Sequence, residues 1–210
     1  LISLWIGVHS PDNVIGVVLE DPPLFSSEHP EVVNTFGYDV MEVAHNYIES
    51  GEDDFLEYYI FHSQLFGLFG DAQQGIYNYV EFYREKRPGQ PVNVFFMPLS
   101  LRGMIYGLQQ YDPYYGESFY NGHMQENFDH AEYLAALEMP TVLIHANYTW
   151  GEEDMLMGAM SDEHAARAME LLPNARLERL DAGHATHIDK PDEFIRIMLE
   201  FGRELDIVEN

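Results

Sequence analysis

Two short runs, Val14-Ile15-Gly16-Val17-Val18-Leu19 and Pro140-Thr141-Val142-Leu143-Ile144-His145, constrain the fold of this chain most. Neither alternates polar with apolar residues, so neither can leave one face in water. Strands of this kind are buried on both faces, as in a parallel sheet covered by helices. Glu20-Asp21-Pro22-Pro23 stops the first run, because proline cannot donate to a ladder. A third run, Ala175–Leu180, follows a helix that opens at Ser161 and runs through Ala165, Ala168, Met169 and Leu172. Residues 129–137 form a short helix, and 191–205 the closing one. Residues 1–9 are apolar nearly all round, which fits a helix packed against a sheet. Strands and helices in this alternation require right-handed crossovers and a parallel α/β sheet.

From Leu24 to about His130 the pattern changes. Helical periodicity covers about 31–50, 53–69, 73–87 and 98–111, with breaks such as Arg87-Pro88-Gly89-Gln90-Pro91. The stretch is rich in Phe and Tyr, and no strand of comparable quality interrupts it. Residues 24–130 therefore read as a helical insertion, with 1–23 and 131–210 as the α/β core. Most of the aromatic residues are expected to form the insertion's own core, and a minority to line an apolar pocket. Tyr111–Gly116 reads as a turn.

The stretch Leu180-Asp181-Ala182-Gly183-His184 carries a different signal. It ends the third strand, and Pro191-Asp192-Glu193-Phe194 soon opens an amphipathic helix. A histidine on a glycine-turned loop between strand and helix is held by backbone on both sides and is free to face a cleft. That suits a general base, since imidazole titrates near neutral pH and needs orienting more than burying. His187, three residues on, is expected to pack against the closing helix. His184 and His187 have metal-ligand spacing, but no third ligand accompanies them, so no metal and no cofactor are expected.

Composition narrows the partners. The 210 residues are 46% hydrophobic, enough to bury a full core, and no apolar run approaches membrane-spanning length. Leu1–Ser10 lacks a basic start and a cleavage site, so no signal peptide is expected. The lack of cysteine excludes disulfides, thiolate metal sites and a cysteine nucleophile, and fits a reducing, cytoplasmic setting. A net charge of −26 would repel nucleic acid and anionic membrane, so neither is expected as a partner. Two lysines and eight arginines face 36 acids, a balance that fits either a salt-adapted surface or an ordinary acidic enzyme.

Several segments in order resemble the α/β-hydrolase superfamily. Leu1-Ile2-Ser3-Leu4-Trp5 is similar to the helix after that family's nucleophile turn, and Gly16–Pro22 to the next strand. Leu137–His145 is similar to the strand before the acid loop. Leu171-Leu172-Pro173-Asn174-Ala175, Ala182-Gly183-His184 and Lys190–Phe194 complete the match. The resemblance covers 1–23 and 131–210 and implies a three-layer α/β fold with an incomplete parallel sheet and a helical cap.

The resemblance further implies a hydrolase acting through a nucleophile–His–acid triad, on a small apolar ester or related acyl compound. His184 would be the base. The acid would come from the loop after His145, where Asp154, thirty residues before His184, is favoured. Glu20 and Asp21 are the alternative. Asp162, beside Ser161, fits helix capping better. Trp150 and Phe25 are the expected substrate-pocket residues. No Gly-x-Ser-x-Gly occurs, and Ser3, Ser100 and Ser118 lack the required turn. The nucleophile and oxyanion donors are therefore expected upstream of Leu1, and the 210 residues alone are expected to be inactive. An exposed sheet edge would favour a homo-oligomer. Dehalogenase, epoxide hydrolase and haloperoxidase variants of the fold, or a non-catalytic binding protein, are the alternatives.

Overall fold

The computed structural model describes residues 1–208, apart from the side chain of Ser100. The chain divides into two compact units, Leu1–Gly37 with Gln125–Asn210, and Tyr38–Met124. In chain order the first unit opens with helix α1 (Ile2–His9) and strand β1 (Val17–Glu20). The second unit holds α2 (Tyr38–Ser50), α3 (Phe55–His62), α4 (Gln64–Gly67), α5 (Ala72–Lys86), α6 (Leu99–Leu108) and α7 (Pro113–Tyr120). The first unit resumes with α8 (His130–Ala136), β2 (Thr141–His145), β3 (Thr149–Trp150) and β4 (Leu156–Met157). It ends with α9 (Asp162–Leu171), β5 (Ala175–Arg179), α10 (Thr186–Asp189) and α11 (Pro191–Glu204).

Strands β1, β2 and β5 form a parallel sheet in the order β1-β2-β5, with Leu19 opposite Leu143 and Leu143 opposite Leu177. All five residues of the central strand β2 are buried, as its uninterrupted apolar character requires. Alternate side chains serve opposite faces. Leu143 packs in one cluster with Leu4, Leu19, Leu134, Leu137 and Ala168, while Val142 and Ile144 pack with Leu180, Ile197 and Phe201. Helices α1, α8 and α9 thus cover one face and α11 the other. Ser161 caps α9, its Oγ accepting the His164 N–H at 3.3 Å.

Some expectations change. Residues 24–37 and 125–130 fold with the sheet unit rather than the insertion, because Leu24 and Phe25 join the Leu19–Leu143 cluster and Phe128 packs against it. Helix α1 buries Leu4 and Gly7 but leaves Ile2, Trp5 and Ile6 exposed, so only one of its faces is packed.

In the second unit, Glu31–Asn34 (still part of the first) is a short 3-10 turn, and α2 starts only after Gly37. Ser63 splits the expected 53–69 helix by capping α4, with its Oγ accepting the Phe66 N–H at 3.2 Å. Tyr111–Gly116 is not a turn. Asp112 caps a new helix there, accepting the Tyr114 N–H at 3.0 Å with Pro113 in the first helical position. Phe55, Leu56, Tyr59, Ile60, Phe66, Ile76, Val80 and Ile105 give this unit its own core.

Candidate active site

The C-terminal ends of the three parallel strands bring the candidate residues together, where ligands gather in open α/β sheets. Asp21 follows β1 directly. Its N–H extends the ladder to the Ile144 carbonyl at 2.8 Å, and its backbone then turns left-handed, with φ 35. The turn carries the carboxylate into the sheet's end, where the residue is 1% exposed. Oδ1 accepts the Ala146 N–H at 3.1 Å, and Oδ2 lies 2.9 Å from Nδ1 of His184. A carboxylate only accepts, so Nδ1 of His184 carries the hydrogen and donates it. In the neutral ring Nε2 is then the bare nitrogen, and the side chain remains 67% exposed.

The loop that presents His184 is tied down at several points. The Gly183 N–H donates to Asp189 Oδ2 at 2.9 Å, and a Cβ at Gly183 would sit 2.7 Å from that oxygen. The Asn147 N–H donates to the Ala182 carbonyl at 2.9 Å, linking the loop after β2 to the loop after β5. Glu20, the last residue of β1, gathers three donors at Oε1: Thr186 Oγ1 at 2.6 Å, the His187 N–H at 2.9 Å and His187 Nδ1 at 2.8 Å. Glu20 therefore anchors α10, just beyond the histidine.

The charges follow from these contacts. Burial opposes ionisation of Asp21, but His145, His184 and the Ala146 N–H outweigh it and hold the carboxyl below its ordinary range. Burial also opposes ionisation of Glu20, and Thr186 with His187 overcomes it in the same way. The hydrogen bond to Asp21 raises the His184 imidazole above its ordinary value, against the opposing effect of burial. An ionised acid thus holds one nitrogen of an imidazole whose other nitrogen is open, the geometry of a general base.

The structure separates the expected site residues. His184 stands at the rim of the sheet, paired with Asp21. Asp154 makes no hydrogen bond or ion pair with it. Asp154 is exposed in the turn Glu152–Asp154 between β3 and β4, where Glu153 and Asp154 both adopt left-handed backbone, φ 55 and 58. The antiparallel pairing of Thr149 with Met157 fixes that hairpin and holds Asp154 at its tip.

Phe25 is no pocket wall. It is 1% exposed, edge-on to His130 with ring centroids 6.0 Å apart, and its ring lies 3.9 Å beneath the Arg167 guanidinium. Burial pushes His130 down to about 4, and its neutral Nδ1 accepts the Phe25 N–H at 2.8 Å. Trp150 is half-exposed on β3, edge-on to Tyr148. His187 is exposed, held by Glu20 and edge-on to Phe194 of α11. Ser118 Oγ donates to the Tyr114 carbonyl within α7, and Ser3 is exposed on α1.

One residue of this neighbourhood was not singled out from the sequence. His145, the last residue of β2, is buried with Nδ1 3.6 Å from Asp21 Oδ1 and Nε2 3.2 Å from Asp162 Oδ1. Its place at the end of a buried strand was the available signal. Among the described residues no group of three or more His, Asp or Glu is placed to hold a metal ion. No helix among them is long and apolar enough to cross a membrane.

No protein-family model and no curated protein matches the chain. Solved structures do. MenH from S. aureus superposes with a TM-score of 0.50 at 12% identity, covering 98% of this chain and 65% of its own. A hydrolase from Oleispira antarctica superposes with a TM-score of 0.51 at 20% identity, covering 95% of this chain and 61% of its own. The chain spans less than two thirds of the length of either. A covered parallel sheet with an acid–histidine pair at its strand ends defines the class, and these matches specify it. The chain has the α/β-hydrolase fold.

Proposed function

We propose that the chain supplies the base and acid of a hydrolase acting on a small apolar ester or related acyl compound. His184 is the base and Asp21 the acid that orients it. The observation that carries this reading is the 2.9 Å hydrogen bond between the buried Asp21 carboxylate and Nδ1 of an otherwise exposed His184. Nε2 takes the proton of a hydroxyl nucleophile as that oxygen attacks the acyl carbon, and returns it to the leaving alcohol. Water then repeats the sequence and releases the acid, with Asp21 stabilising the imidazolium at each turn. The nucleophile in this reading lies outside these 210 residues, in keeping with the unmatched third of each solved structure.

The test is made on the full-length enzyme, with a chromogenic short-chain ester and a fluorophosphonate probe. Turnover and covalent labelling are expected. Asp21→Asn should lower kcat by roughly 10³–10⁴-fold with folding intact, since an amide holds the imidazole in the wrong tautomer. Asp154→Asn should leave turnover within about threefold of the parent, because an exposed side chain without partners sits outside the machinery. Full activity in Asp21→Asn would overturn the assignment. Neither turnover nor labelling would favour a non-catalytic binding protein.

A further inference from the structure

His145 sits at the end of the central strand with its side chain fully buried, and each of its ring nitrogens faces a carboxylate. Nε2 lies 3.2 Å from Asp162 Oδ1, at the start of α9. Nδ1 lies 3.6 Å from Asp21 Oδ1 and has no hydrogen-bond partner. Both oxygens are already engaged: Asp21 Oδ1 accepts the Ala146 N–H, and Asp162 Oδ1 accepts Nη1 of Arg179, from the end of β5, at 2.7 Å. Tyr148 stacks on the imidazole, with centroids 5.9 Å apart and planes 20° from parallel. Carboxylates only accept, so a ring with a single hydrogen would set a bare nitrogen against one of two anions. A hydrogen on each nitrogen answers both, and the Tyr148 ring face favours a cation beside it.

We propose that His145 is a positioning residue for the Asp21–His184 pair: with a hydrogen on each ring nitrogen, it draws on the Asp21 carboxylate and limits the negative charge that His184 feels. Its catalytic meaning rests on the function proposed above. The groups facing it are Asp21, Asp162, Arg179 and Tyr148, with His184 beyond Asp21. Because Asp162 is shared between His145 and Arg179, the exposed pair at the start of α9 and the end of β5 is coupled to the buried one.

Nitrogen-15 spectra of the 210-residue chain test this directly. At neutral pH both ring nitrogens of His145 are expected to bear hydrogen. In His145→Phe the titration midpoint of His184 should shift upward, because Asp21 loses the group that competes for its charge. A purely structural role would lower the melting temperature and leave that midpoint in place. Asp162→Asn, at an exposed position, keeps the proposal testable if His145→Phe does not fold. Its amide can donate to Nε2, so His145 should convert to a form with hydrogen on Nδ1 alone. A bare Nδ1 in the parent chain overturns the proposal, as does an unmoved or lowered His184 midpoint in folded His145→Phe. Absence of ester turnover or labelling in the full-length enzyme would remove the functional reading while leaving these spectra as the measure of the His145 pairing.

Discussion

His184 and Asp21 are displaced in opposite directions by the same hydrogen bond, which gives the pair a defined pH window. The folded value of His184 lies above 6.5, so its stabilisation is complete below 6.5 and is lost as pH rises through the folded value. Asp21 lies below 3.8, so its share is complete above 3.8 and is lost as pH falls through its folded value. The pair is fully formed between the two. His184 is mostly exposed, so solvent screening keeps the contribution to at most about 1 kcal/mol. Urea unfolding of the parent and His184→Gln should therefore differ more at about pH 5 than at about pH 9. A larger difference at the alkaline end would contradict the pairing. The histidine of this pair was legible in the sequence, because glycine, histidine and the flanking strand and helix are neighbours along the chain. Its acid was not. Asp21 reaches His184 across 163 positions, through the order β1-β2-β5 and a left-handed turn that Glu20-Asp21-Pro22 does not advertise. Distance along the chain pointed to Asp154, whereas adjacency of strand ends decides the pairing.

Helix α1 shows how tightly an element is fitted to its sheet. Gly7 is buried, and a Cβ there would lie 2.5 Å from Leu137 Cδ1, 3.1 Å from Met139 Sδ and 3.3 Å from Val17 Cγ2. Gly7→Val should lower stability by about 1–3 kcal/mol, the cost of overpacking a filled core. Gly103, in α6, has open space around the same position. Gly103→Ala should instead raise stability by about 0.5–1 kcal/mol, since alanine loses less conformational freedom in a helix. Denaturant midpoints of the two variants check both signs, and equal tolerance at the two sites would mean that α1 is not seated as described. Elements with strong local signals were the legible ones: the runs around Val17 and Val142, Ser161 before α9, and Pro191 before α11. The hairpin β3–β4 has only two residues in each strand, too few to establish a period. Helix α7 hid behind Tyr111–Gly116, where the same Asp-Pro pair that suits a turn also suits a helix start.

At the scale of the whole molecule, charge outweighs any single contact. With 36 acids against 10 lysines and arginines, pairing every cation would still leave 26 acids unmatched. The described cations are already engaged: Arg84 with Asp54, Arg179 with Asp162, Arg196 with Glu200 and Lys190 with Glu193. Most of these pairs are exposed, and each is worth little. Self-repulsion of the unmatched acids therefore dominates the response to salt. The screening length falls from about 30 Å at 0.01 M to about 3 Å at 1 M, so repulsion across the surface is removed well before contacts at hydrogen-bond distance are lost. The melting temperature should rise between about 10 mM and 1 M sodium chloride, with most of the gain below about 0.3 M. Chloride is the proper test, because sulfate strengthens apolar burial by exclusion and would raise the melting temperature of a neutral protein too. A melting temperature that stays flat or falls in chloride would mean that the exposed ion pairs, rather than the excess acids, set the balance. The salt-adapted reading of this surface would then be withdrawn.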